Sequence, residues 1–135
     1  MTMISKFNHE GYPDPTPYEA LKTGRFSYRP FVYICSPSAG DVDANIQKTR
    51  QYCRFAVGKG YIPLAPHLIF TQFLDDRKED ERALGMFFGC ALMSKCAEIW
   101  VCGDTISSGM EQEIQRAKRK GYRLRYFNSQ LKEEE

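Results

Sequence analysis

Apolar and polar positions follow two alternating patterns along most of the chain. Residues 31–35 (Phe-Val-Tyr-Ile-Cys) are a continuous apolar run of strand length, and a Ser-Pro-Ser-Ala-Gly turn follows at once. This pattern predicts a buried β-strand that ends in a turn. Tyr61–Ala65 predicts a second strand, and Pro63 places it at a sheet edge because proline cannot donate to a strand ladder. Glu98–Cys102 and Tyr122–Phe127 predict two further strands.

Helical spacing fills the segments between these strands. An aspartate at position 41 or 43 can cap a helix that ends near Gly58. Residues Arg82–Cys96 are apolar on nearly every side, which predicts a largely buried helix. Residues Ser108–Lys120 predict the last helix, stopped by the glycine that follows it.

Strand and helix therefore alternate from residue 31 to residue 127. Helical crossovers between short buried strands produce right-handed βαβ units and a mostly parallel sheet covered on both faces. We expect a Rossmann-like (flavodoxin-like) three-layer α/β domain over residues 31–135, with a short parallel sheet of four to five strands. Ligands of such sheets bind beyond the carboxyl ends of the strands. The turns that reach this edge are Ser36–Gly40 and Gly103–Gly109.

Residues 1–30 differ from the rest of the chain. Three prolines within residues 13–17 exclude a regular helix or a central strand there. Tyr18–Thr23 predicts one short helix. Because several aromatic side chains would be exposed to water in a free tail, we expect an N-terminal arm that lies against the domain or a neighbouring subunit.

Charge and composition narrow the function classes. The 135 residues carry a formal net charge of +2, which is too small to indicate nucleic-acid binding by itself. The basic residues between Arg116 and Arg125 form either a solvated surface, since most lie near a helix C-terminus that favours cations, or a nucleic-acid surface. No apolar run is long enough for a signal peptide or a bilayer span, so we expect a soluble, cytoplasmic protein.

The five cysteines match neither a zinc site nor a redox motif in their spacing. Free cysteine packs as a small hydrophobic residue. We therefore expect reduced core cysteines and no metal site. The acidic run Asp75–Glu81 is interpreted as surface charge at a helix N-terminus, where negative side chains are favourable.

Small and hydroxyl residues in the two turns indicate an anion site. Such residues let backbone amides approach a ligand, and the first amides of a helix have no internal partners. The candidate ligand-binding or phosphate-binding residues are Ser36, Ser38, Gly40, Ser107, Ser108 and Gly109.

Three further side chains have two interpretations each. Glu111 lies three residues after Ser108, so it either completes a capping box or directs a carboxylate at the ligand. Tyr33 is either a core residue or a hydroxyl that holds a carboxylate. His67, beyond the second strand, is either structural or a ligand contact.

Several segments resemble the nucleoside 2-deoxyribosyltransferase-like superfamily. These are Val32–Pro37, Cys96–Val101 and Ser108–Glu111. Gln72–Asp76, Ala65–His67 and the stretch from Trp100 to Glu113 look more specifically like its uncharacterised bacterial and phage branch.

The resemblance implies a reaction and a site. It implies that Glu111 attacks the anomeric carbon of a nucleoside or nucleotide and releases the base, with Tyr33 supporting the glutamate. It also implies that Ser36, and more loosely Ser38 and Gly40, bind the sugar or phosphate end, and that Ser107 or Ser108 contacts phosphate. The resemblance therefore implies an N-glycosidase or 2-deoxyribosyltransferase activity that needs no cofactor. It also implies a homo-oligomer, a dimer or larger.

One position departs from the superfamily pattern. Cys90 stands where active members carry an aspartate, and a thiol cannot replace a carboxylate that orients a sugar hydroxyl and shuttles a proton. Asp104 or Glu113 are the neighbouring carboxylates that would compensate. The alternative hypothesis is a non-catalytic sensor or assembly module that binds a nucleotide derivative, in which Glu111 only caps its helix.

Overall fold

A single five-stranded sheet organises the part of the chain that the structure, a computed structural model, describes, namely residues 28–135. Its strands are β1 Phe31–Cys35, β2 Ile62–Leu64, β3 Glu98–Cys102, β4 Leu124–Phe127 and β5 Glu133–Glu134, in the order β2-β1-β3-β4-β5. The helices of these residues are α1 Val42–Gly58, α2 Pro66–Ile69, α3 Glu79–Met93 and α4 Ser108–Lys120, with a 3-10 turn at Phe70–Gln72. The predicted arm over residues 1–27, including the helix over Tyr18–Thr23, lies outside the described residues.

The sheet confirms the predicted α/β class. Strands β1 to β4 pair in parallel, and only the short β5 runs antiparallel, against β4. Pro63 lies in β2 at the sheet edge, as its missing N–H requires. The order of the first four strands is that of a flavodoxin-like sheet.

Both faces of the sheet are covered, because successive strand residues point to opposite sides. Helix α1 packs on one face, and α3 and α4 pack on the other. The first core contains Val32, Ile34, Tyr52, Ala56, Trp100 and Cys102. The second contains Tyr33, Cys35, Met93, Ile99, Met110 and Ile114.

The helix ends follow the local sequence. Asp41 caps α1 by accepting a hydrogen bond from the Ala44 N–H at 3.2 Å. Gly121 ends α4 in the left-handed region at φ +72°, which a residue with a β-carbon rarely adopts.

Helix α3 corrects the expectation of a largely buried helix. Three of its large apolar side chains are exposed: Leu84 is 42% exposed, Met86 55% and Phe87 67%. The small Gly89, together with Met93, is buried instead. One helix can bury only one face against one sheet, so an apolar composition all round does not make α3 a core helix.

All five cysteines are free, and burial keeps most of them as thiols. Cys35 and Cys102 are fully buried, and the others are half-buried. Burial raises the pKa of Cys102 to about 12 and that of Cys53 to about 11. Within residues 28–135, no three His, Cys, Asp or Glu side chains are arranged to hold a metal ion. In the same range no helix has both the length and the apolar character to cross a membrane.

Candidate functional site

The two Ser/Gly turns meet at one edge of the sheet. Strands β1 and β3 are parallel neighbours with Cys35 opposite Val101, so the chain leaves both strands at the same edge. Pro37 of the first turn lies against Gly103 of the second, since a β-carbon at Gly103 would be 3.6 Å from Pro37 Cδ. The expected convergence of the turns is therefore present.

In the first turn, the Ser36 hydroxyl is used inside the protein. Its Oγ lies 2.8 Å from Thr49 Oγ1, and Thr49 in turn donates to the Asn45 carbonyl at 2.8 Å. Ser36 therefore donates to Thr49, which fastens the turn to α1. Ser38 and Gly40 are exposed at the rim, with Gly40 at φ +89°.

In the second turn, Ser107 is the N-cap of α4. Its Oγ accepts a hydrogen bond from the Met110 N–H at 3.2 Å. Ser108 and Gly109 are exposed in the first turn of the helix. The capping box expected between Ser108 and Glu111 does not form, because the helix begins one residue earlier than that pairing requires.

Glu111 lies on the outer side of α4. It is exposed, and its Oε1 accepts a hydrogen bond from Gln115 Nε2 at 2.7 Å. This carboxylate therefore lies on the solvent side of the first turn of the helix.

Glu113 is the carboxyl that turns inward. Desolvation raises its pKa from 4.5 to about 7, and the neighbouring Tyr33 hydroxyl opposes that rise. Tyr33 is 3% exposed in the middle of β1, and its own pKa is raised well above 10, first by burial and then by the neighbouring Glu113. The structure thus places a buried tyrosine beside a half-buried glutamate.

Helical periodicity explains why Glu113 faces inward and Glu111 does not. The buried stripe of α4 is Met110, Ile114 and Ala117. Glu113 follows Met110 by three residues and precedes Ala117 by four, which are the spacings of one helix face. Glu111 follows Met110 directly and falls outside that face. Sequence reasoning named Glu113 only as a compensating carboxylate, although this spacing could have identified it.

Helices α2 and α3 close over the Tyr33 hydroxyl. A β-carbon at Gly89 would lie 3.2 Å from that oxygen and 3.9 Å from Pro66 Cγ. Cys90 and Cys35 are also close enough to raise the pKa of Tyr33. Cys90 is therefore near the Tyr33–Glu113 pair.

His67 sits beside the first turn. It lies close to the Ser36 backbone, and its pKa is lowered by burial, although nearby Asp76 and the Ser36 backbone act in the opposite direction. The imidazole is therefore neutral at neutral pH. Asp104, the other carboxylate considered, instead accepts a hydrogen bond from the Ser129 N–H at 2.9 Å.

A cavity of about 260 Å³ lies away from this rim, where β4 and β5 meet α1. Two of its charged lining residues are already paired within the protein, since Arg125 donates to Glu133 at 2.8 Å and also to Glu98 at 3.0 Å. The cavity therefore has a structural explanation, and the candidate site remains at the carboxyl edge of the sheet.

The fold and the placement of this pair define a Rossmann-like α/β protein with a candidate site at the carboxyl edge of its parallel strands. The chain belongs to the family described as Domain of unknown function (DUF7768), which matches residues 30–127. A comparison with curated protein sequences gives no match.

Two solved structures share the fold. A 2-deoxyribosyltransferase from Bacillus psychrosaccharolyticus is 12% identical, with a TM-score of 0.62 over 73% of this chain and 72% of that one. A 2-deoxyribosyltransferase from Leishmania mexicana is 17% identical, with a TM-score of 0.55 over 73% of this chain and 64% of that one. At these identities the similarity establishes the shared fold, as the sequence resemblance implied.

Proposed function

We propose that this protein processes a nucleoside or nucleotide by N-glycosidase or 2-deoxyribosyltransferase chemistry, with Glu113 as the nucleophile. The observation that carries the proposal is that the buried Tyr33 hydroxyl and the half-buried Glu113 carboxyl are neighbours toward the carboxyl edge of the sheet. Two 2-deoxyribosyltransferases share the fold. Glu111, the residue first suggested by the sequence, lies on the exposed side of α4.

The pair suits a two-step displacement. The ionised Glu113 carboxylate attacks the anomeric carbon, and the bond to the base breaks with its electron pair going to the base nitrogen, which takes a proton from solvent. Water, or the nitrogen of a second base, then attacks the anomeric carbon and gives up a proton to solvent, while the bond between that carbon and Glu113 breaks and releases the carboxylate. Tyr33 holds the carboxyl in position by donating to one of its oxygens. Carboxylates alone stabilise oxocarbenium-like charge, so the proposal includes no metal or organic cofactor.

The two turns would hold the rest of the ligand. The exposed Ser38, Gly40, Ser108 and Gly109 present backbone and hydroxyl groups at the rim. The Ser36 and Ser107 hydroxyls already make internal bonds, so their contribution to sugar or phosphate binding would come from their backbone. Neutral His67 would line the side of the site formed by α2.

Comparing two glutamate variants tests the proposal. The protein is incubated with a panel of deoxynucleosides and their monophosphates, and free base is measured by chromatography. We expect Glu113→Gln to lower base release by about a thousandfold or more, because it removes the nucleophile. Glu111→Gln, the matched control on the same helix, should stay close to wild type. Loss of activity in Glu111→Gln with retention in Glu113→Gln would contradict the assignment.

Cys90 favours a second candidate function, a non-catalytic sensor or assembly module that binds a nucleotide derivative. A thiol near Tyr33 replaces the aspartate expected from the resemblance, and a thiol does not orient and deprotonate a sugar hydroxyl as a carboxylate does. Absence of base release from every substrate, together with thermal stabilisation by a nucleotide, would support this function.

We also propose that the protein is a cytoplasmic homo-oligomer of the uncharacterised bacterial and phage branch. Five free thiols support a reducing compartment. The segments Ala65–His67 and Trp100 to Glu113 resemble the uncharacterised bacterial and phage branch, which supports the assignment to it. An exposed apolar surface on α3 supports self-association. The proposed ligand is a nucleoside or nucleotide and not a nucleic acid.

A further inference from the structure

A glycine of α3 determines how closely that helix approaches the candidate site. We propose that Gly89 is a positioning residue, whose missing side chain lets α3 lie against the Tyr33 hydroxyl and thereby fixes that hydroxyl relative to the Glu113 carboxyl. The inference rests on the proposed function for the importance of the pair. The contact itself is independent of any substrate.

The close approach is specific to position 89. Gly89 is buried in the C-terminal half of α3. A β-carbon there would lie 3.2 Å from the Tyr33 hydroxyl oxygen, which is closer than such contacts normally are, and 3.9 Å from Pro66 Cγ, which is an ordinary contact. An added methyl group would therefore press on the hydroxyl and on little else.

Tyr33 cannot retreat as a whole from such pressure. Its residue pairs with Leu64 of β2 on one side and with Ile99 of β3 on the other. With the backbone held in two ladders, only a swing of the ring or a displacement of α3 relieves the contact. Either movement changes the distance between the Tyr33 hydroxyl and the Glu113 carboxyl.

Gly85 supplies a matched control one turn earlier in the same helix. A β-carbon at Gly85 would lie 3.6 Å from Leu74 Cδ1, an ordinary van der Waals distance. Alanine is a better helix former than glycine at both positions. A difference between Gly85→Ala and Gly89→Ala therefore reports the tertiary contact and not helix propensity.

The experiment measures the pKa of Glu113 by NMR titration of its side-chain carboxyl carbon in the whole protein. The titratable neighbours of the pair are Cys35 of β1 and Cys90 of α3. Tyr33 lowers the pKa of Glu113, so moving the Tyr33 hydroxyl away from the carboxyl should raise that pKa. We expect Gly89→Ala to raise it, Tyr33→Phe to raise it further, by about one pH unit, and Gly85→Ala to leave it unchanged.

A double-mutant cycle isolates the mechanism. If Gly89 acts through the hydroxyl, adding Gly89→Ala to Tyr33→Phe produces no further change in the Glu113 pKa. An unchanged pKa in Gly89→Ala, or an equal shift in the Tyr33→Phe background, would overturn the inference. If Gly89→Ala alone does not fold, restored folding in the double variant supports the contact, and failure to restore it overturns it.

The titration separates this inference from the proposed function. It requires no substrate, so a shift in Gly89→Ala stands even if Glu113→Gln leaves base release intact, which would refute only the enzyme assignment. Conversely, an unshifted pKa in Gly89→Ala, combined with an inactive Glu113→Gln, would refute only the role of Gly89.

Discussion

The Glu113 carboxyl is a half-buried acid whose protonation changes near neutral pH. Desolvation raises its pKa to about 7, while the neighbouring Tyr33 hydroxyl limits that rise. The ionised form, which a nucleophile requires, therefore becomes dominant only above this pH. The base release proposed for this site should accordingly increase as pH rises through about 7.

The same carboxyl should make stability depend on pH. The folded protein retains the Glu113 proton up to about pH 7, whereas the unfolded chain releases it near the ordinary value of 4.5. Between these values the folded state binds more protons, so the free energy of unfolding falls as pH rises, by about 3 kcal/mol in all. Glu113→Gln removes this contribution. Urea unfolding of both proteins at several pH values measures it, and parallel stability curves would contradict it.

At the scale of elements, one buried carboxylate joins the strands of the sheet. Glu98 at the start of β3 is 7% exposed, and it accepts hydrogen bonds from Trp100 Nε1 at 2.8 Å and from the Tyr61 hydroxyl at 2.9 Å. Arg125 of β4 donates to it at 3.0 Å and binds Glu133 of β5 through two bonds of 2.8 Å. Burial alone would raise the pKa of Glu98, but these hydrogen bonds outweigh it and the pKa is lowered.

Removing Arg125 should therefore be costly. Arg125→Ala leaves Glu98 buried without its main cationic partner and frees β5, so we expect a loss of about 3 kcal/mol in the free energy of unfolding. Arg123, which is 69% exposed and 3.5 Å from Glu98, is the control. Arg123→Ala should cost less than about 1 kcal/mol, because exposed ion pairs contribute little. Chemical denaturation measures both, and equal losses would contradict the central role of Arg125.

At the scale of the whole molecule, the outer surface of α3 and of the 3-10 turn before it exposes several large apolar side chains within residues 28–135. It carries neighbouring aromatic rings, with Phe70 5.2 Å from Phe88 and 6.1 Å from Phe73, and Phe73 is 64% exposed. Exposed apolar surfaces of this kind mark interaction sites. This supports the proposed homo-oligomer.

A charge on this surface should disrupt self-association. Phe87 is 67% exposed, so Phe87→Glu leaves the fold intact and places a carboxylate where a second copy would pack. We expect a lower mass by light scattering after size exclusion. Val42→Glu, at an apolar side chain that is 55% exposed on α1, is the matched control and should keep the wild-type mass. An unchanged mass for Phe87→Glu, or an equal drop for Val42→Glu, would exclude α3 as the interface.

Local sequence determined the elements and most of the fold of this protein. Residues close together in the chain determine the strand runs, the Asp41 cap, the Gly121 stop and the edge position of Pro63. The handedness of βαβ units then limits the possible orders of the strands in the sheet. Strand β5 was not predicted individually, because two glutamates have no apolar pattern. It pairs with β4, and Arg125 holds its Glu133.

Tertiary structure alone decided how the site is built. The sequence placed a tyrosine and two glutamates near one edge of the sheet, and the spacing of α4 separates Glu113 from Glu111, but only the packing of α4 against the sheet brings Glu113 to Tyr33. Likewise, the Ser36 hydroxyl is taken by Thr49, thirteen residues away, and Gly89 meets Tyr33 across two layers. These contacts join segments distant in sequence, and a local pattern of apolar and polar residues carries no information about the distance between them.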